Sequence, residues 1–116
     1  MFIRTLALVC VLAVGVPALA RADERSDARA QVDFGNAVAQ QGLWQEAIYR
    51  WERASDIDPG YAAAWNNLGI AYERQGLFDK ARDAYELALD LDPDNVTIQQ
   101  NYDLFREIND RVQSNR

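Results

Sequence analysis

Asp90, Asp92 and Asp94 alternate along one short stretch, the closest this sequence comes to a cluster of groups that could do chemistry. Three carboxylates so placed could hold a cation or supply an acid and a base. Asp92 precedes Pro93, however, and aspartates in that setting serve turns and helix ends. The Asp-x-Asp-x-Asp-Gly calcium loop is absent. The chain has no histidine, and its one cysteine is Cys10. That excludes an internal disulfide, a Cys/His metal site and a Cys–His nucleophile–base pair. Nothing in the pattern builds a pocket able to raise a carboxylate pKa for acid–base work. Catalytic residues, metals and cofactors are therefore not expected, and the chain is not expected to be an enzyme.

The charge balance narrows the partners. Outside the first 22 residues there are ten basic and eighteen acidic side chains, a net charge of −8. Phosphate binding needs a basic surface, so nucleic acid is not an expected partner. A surplus of carboxylates serves solubility and also admits a basic partner.

Residues 1–22 have the make-up of a secretory signal peptide. Arg4 supplies the positive end, and residues 6–16 form an apolar run too short to span a bilayer as a helix. Pro17 breaks the run. Ala18-Leu19-Ala20 and Ala20-Arg21-Ala22 then offer small residues at alternate positions, as a signal peptidase requires, so cleavage fits after Ala20 or Ala22. An uncleaved anchor is the competing reading. Once the leader is cut, no stable membrane anchor remains. Residues 23–27 are then a charged, frayed spacer.

The rest of the chain repeats itself. Asp58-Pro59 and Asp92-Pro93 lie 34 residues apart, and at that offset residues 27–60 and 61–94 share thirteen identities. They include Gly35/Gly69, Gly42/Gly76, Ala47/Ala81, Ala54/Ala88 and Pro59/Pro93. Each unit has the pattern of two helices. Trp65, Leu68 and Tyr72 share one helical face, as do Ala81, Tyr85 and Ala88. Gly76 suits a left-handed helix end, and Asp92-Pro93 stops the second helix. Gly35 and Gly69 stand mid-helix, where glycine costs about 1 kcal/mol against alanine, so a close helix–helix approach should offset the loss.

Trp65-x-x-Leu68-Gly69-x-x-Tyr72, followed by Ala81-x-x-x-Tyr85, Ala88 and Pro93, resembles the tetratricopeptide-repeat (TPR) signature. Residues 62–95 match throughout, with Tyr85 for the usual phenylalanine. Residues 28–61 match less closely, with Gln31, Phe34 and Val38 at the tryptophan, leucine and tyrosine positions. The resemblance implies an all-α fold: an α-α superhelix of two repeats, 28–61 and 62–95, with a capping helix at 96–112 and a frayed tail at 113–116. Trp51 and Trp65 are then core, and Trp44 is the helix-turn aromatic matched by Phe78.

Such arrays bind proteins or peptides on a concave face lined by the first helix of each repeat. The candidates here are Arg29, Val32, Asp33, Asn36, Asn66, Asn67, Ile70, Glu73 and Arg74. Their amides, charges and apolar groups suit an extended peptide or a helix. Chaperone-binding TPR domains clamp a C-terminal carboxylate with asparagines and cations. Asn36 and Asn67 stand at matching asparagine positions, but Val32, Thr97 and Asn101 occupy the basic ones, which argues against that mode. The expected function is a protein-interaction module or scaffold of the bacterial envelope, exported to the periplasm or secreted. The alternative is a self-assembling homo-oligomer.

Overall fold

The computed structural model describes residue 15 and residues 17–116. Most of the expected leader, residues 1–14 and 16, lies outside the described residues. Five helices follow one another: α1 (Ala18–Gln40), α2 (Trp44–Ile57), α3 (Ala62–Arg74), α4 (Phe78–Leu91) and α5 (Val96–Ser114). The described residues contain no strand, and none of their helices is long and apolar enough to cross a membrane. The fold is an all-α helical solenoid. α1 pairs with α2 and α3 with α4, α3 packs on α2, and α5 closes on α4 and α3.

The chain reverses at the same point in both pairs. Gly42 and Gly76 adopt φ values of 80° and 74°, a region costly for any residue with a Cβ. The reversal lets Leu43 N–H reach Val38 O at 3.0 Å and Leu77 N–H reach Tyr72 O at 2.9 Å. These bonds satisfy carbonyls that the helix end would otherwise leave open. At the α2–α3 turn, Gly60 N–H donates to Asp58 Oδ1 at 3.0 Å. Asn95 caps α5 by accepting from Ile98 N–H at 3.1 Å. Asp92 is the C-cap of α4 and accepts from Asn95 Nδ2 at 2.9 Å.

The mid-helix glycines allow the expected close approach. A Cβ on Gly35 would stand 2.5 Å from Trp51 Nε1, and one on Gly69 would stand 2.9 Å from the Tyr85 ring. Trp51 and Tyr85 therefore fill space within their own repeats. Tyr85 also reaches the next element, its ring 5.5 Å from Phe105 of α5. Ala28, Ala47, Ala54, Ala64, Ala71, Ala81 and Ala88 are wholly buried between the helices, where a methyl group is all that fits at this packing density.

Two segments differ from expectation. Residues 23–27 are helical rather than a frayed spacer, because α1 already runs from Ala18. Arg25 anchors them: it is ion-paired to Asp58, donates to Gly60 O at 3.2 Å and lies 4.9 Å from the centre of the Tyr61 ring. A contact between residues 33 apart leaves no trace in local periodicity. On α5, Ile98, Tyr102 and Phe105 pack inward, whereas Ile108 and Val112 are exposed. The helix extends into the expected tail as far as Ser114.

Candidate protein-binding site

The first helices α1, α3 and α5 lie side by side and bring four asparagines into one hydrogen-bonded row. Asn67 Nδ2 donates to Asn36 Oδ1 at 2.8 Å, linking α3 to α1. Asn101 Nδ2 donates to Asn66 Oδ1 at 3.1 Å, linking α5 to α3. Asn66 Nδ2 and Asn67 Oδ1, 3.4 Å apart, join the two halves. Asn36 Oδ1 also accepts from Trp51 Nε1 at 3.2 Å. At either end of the row, the Asn36 amide nitrogen and the Asn101 amide oxygen are directed to neither of these partners. An amide that can both donate and accept suits a peptide backbone, which presents the same two groups.

The candidates from the sequence divide into three groups. Asn36 and Asn67 are in the row, and Asp33 and Arg29 are exposed one and two turns before Asn36 on α1. Asn66 is in the row but only 8% exposed, its amide occupied by its neighbours. Val32 does not belong to the groove: it is 4% exposed and part of the core with Ala28 and Trp51. Ile70 is half-buried against the core cluster of Ala81, Tyr85 and Phe105. Glu73 accepts the Tyr85 hydroxyl at 2.9 Å. Burial first, and then the Glu73 carboxylate, push the Tyr85 pKa well above the ordinary tyrosine value. Arg74 lies 3.9 Å from the centre of the Trp44 ring, a cation–π contact that turns it toward the α1–α2 turn.

Three residues of this face belong to α5. Asn101 completes the row, and Leu104 and Ile108 follow it at one-turn spacings, 57% and 47% exposed. The 34-residue offset could have found them, since Asn101, Leu104 and Ile108 stand at the positions of Asn67, Ile70 and Arg74. The face thus combines amides that bond a backbone with apolar groups that receive a side chain.

The family profile described as "Tetratricopeptide repeat" matches residues 62–95, and that described as "TPR repeat" matches residues 35–76. The chain belongs to the tetratricopeptide-repeat family. Among solved structures it is similar to the second TPR of Spaghetti (RPAP3) bound to HSP90 peptide SRMEEVD, with a TM-score of 0.72 over 82% of each chain and 20% identity. No curated protein matches the chain. The profile over residues 62–95 spans the α3–α4 pair and the turn before α5, and α1–α2 is the equivalent helix pair 34 residues earlier. The position that Tyr72 holds on α3, packed against the core, falls on α5 to Arg106, which is exposed.

Proposed function

We propose that the protein is a non-catalytic interaction module of the bacterial envelope, exported by cleavage after Ala20 or Ala22, that holds a peptide segment of another protein on the face formed by α1, α3 and α5. The amide row beside exposed Leu104 and Ile108 carries this reading. The similar TPR domain with a bound peptide supports a peptide as the class of partner. Capture of a terminal carboxylate is not part of the proposal. Val32 is buried, Asn101 is bonded to Asn66 and Thr97 is neutral, so the positions where a clamp would place cations hold none. An internal segment, bound through its backbone and one or two apolar side chains, fits the face better.

The test pairs the wild type with the Leu104→Ser/Ile108→Ser variant, using melting temperature for the fold and pull-down from an envelope extract for the partner. Both side chains are half in water, so the variant should melt within a few degrees of the wild type. It should lose the partner that the wild type retrieves. Normal melting with the partner retained would place binding elsewhere. An intact mass lacking residues 1–20 or 1–22 would support export, and retained Met1 would contradict it. A homo-oligomer is the second reading, favoured by the further exposed apolar side chains Phe34, Tyr49 and Val112. Mass measured across a concentration series distinguishes it.

A further inference from the structure

The side of α3 opposite the amide row carries a depression of about 210 Å³, lined by Trp65 and Tyr72 of α3 and by Lys80, Asp83, Ala84 and Leu87 of α4. Trp65 and Tyr72 lie on the far side of α3 from Asn67 by the helical period, so this surface is separate from the groove. Its walls are almost wholly apolar. The volume falls below the range of roughly 300–1,000 Å³ typical of small-molecule sites, and matches one large side chain rather than a cofactor.

The first repeat indicates what such a hollow accepts. At the 34-residue offset, Arg50 corresponds to Ala84, Gln31 to Trp65 and Glu46 to Lys80. Arg50 accordingly occupies the corresponding place in the first repeat. It is held by Glu46 Oε1 at 2.9 Å and Gln31 Oε1 at 3.4 Å, and lies 4.3 Å from the centre of the Phe34 ring. In the second repeat the long cation is replaced by Ala84, a core residue 4% exposed whose methyl group helps line the hollow. Aromatic walls remain around it, with Asp83 as the lining carboxylate. Asp79, Glu86 and Asp90 continue an exposed acidic row from Asp83 along α4, Glu86 taking the Tyr102 hydroxyl of α5 at 2.7 Å. Burial, and after it the Glu52 carboxylate of α2, raise the Tyr72 pKa. Lys80 Nζ lies 5.5 Å from the centre of the Tyr72 ring, so one wall already receives a cation.

We propose that this face is a second docking surface, and that it takes a protein segment with one apolar or aromatic side chain flanked by lysines or arginines. The anchor enters between Trp65, Tyr72 and Leu87, and the flanking cations meet the α4 carboxylates. This inference does not depend on the groove, so either can fail alone.

The test uses three probe peptides: acetyl-Lys-Lys-Phe-Lys-Lys-amide, the same peptide with serine at the centre, and acetyl-Glu-Glu-Phe-Glu-Glu-amide. The first should bind saturably, weaken as salt is raised, and shift the Trp65 indole N–H resonance. The other two should bind at least about fivefold more weakly. Leu87→Gln, at a side chain already 36% exposed, should weaken the first peptide by about fivefold or more. Asp83→Lys should weaken it independently, which guards against a folding defect in the Leu87 variant. Lys80→Met should tighten it by removing a like charge, and Leu104→Ser/Ile108→Ser should leave it unchanged. The proposal is overturned if the lysine peptide does not bind, if the glutamate peptide binds as well, if Leu87→Gln and Asp83→Lys leave the affinity unchanged, or if the shifts map to Asn36, Asn67 and Leu104 instead.

Discussion

The two repeats solve one packing problem and finish it differently. In each, a mid-helix glycine of the first helix admits an aromatic ring from the second: Gly35 faces Trp51, and Gly69 faces Tyr85. The polar tips of those rings go separate ways. Trp51 Nε1 donates to Asn36 and ties the core of the first repeat to the amide row. The Tyr85 hydroxyl donates to Glu73, outside the row. The glycine fixes the body of the ring by shape alone. The tip is free to vary, and it decides which surface residues are held rigid. The amide row is therefore braced from the core at its α1 end, while its α5 end rests on the Asn101–Asn66 bond.

The largest effect should come from filling the shared contact. Gly35→Leu and Gly69→Leu each drive carbon atoms into a ring already within 3 Å of the missing Cβ. Each should cost about 3 kcal/mol or more, beyond the usual overpacking penalty because the ring is pinned. Gly60→Ala, in an exposed turn, should cost far less. Chemical denaturation of the three variants checks this, and equal midpoints would refute the helix pairing.

The difference between the tips should appear next. Asn36→Ala leaves a buried indole N–H without its acceptor and should cost about 1–3 kcal/mol. Tyr85→Phe removes both the hydroxyl and its need for a partner and should cost about 1 kcal/mol. Only Tyr85→Phe should change the alkaline limb of stability. The Tyr85 pKa is higher folded than unfolded, so its contribution is complete below the unfolded tyrosine value of about 10 and is lost as pH rises above it. Denaturation between pH 8 and 11 should show a shallower decline in Tyr85→Phe, with a remainder from Tyr72 and Tyr102, whose pKa values are also raised. Identical slopes would remove the hydroxyl from the account. The smallest effect belongs to Arg25→Ala, which frees the start of α1 from the α2–α3 turn. Arg25 is about half exposed, so the loss should be about 0.5 kcal/mol or less.

How far the sequence disclosed this structure depends on the range of each signal. The 34-residue offset, the turn glycines and the Asp-Pro stops act locally and recur, so the repeat and its helices were legible. Close packing at Gly35 and Gly69 was legible too, because a costly residue in mid-helix requires a reason. The groove was less so. A first helix here has three faces: one toward its own second helix, one toward a neighbouring first helix and one toward the groove. Dividing it into core and groove put Val32 on the surface and left Asn66 free, although the first is core and the second is bonded to α5. Arg25 lies in the expected charged spacer, and its partner Asp58 is remote in sequence. Leu104 and Ile108 lie in the expected capping helix, although their 34-residue offset from Ile70 and Arg74 is countable.

The central claim is that a partner lies along α1, α3 and α5. A photo-crosslinking amino acid at position 104 tests it most directly, with the same group at exposed position 45 on α2 as the control. Illumination in an envelope extract should join the position-104 protein to a partner band that position 45 does not form. A partner captured from position 45 and not from position 104 would contradict the account.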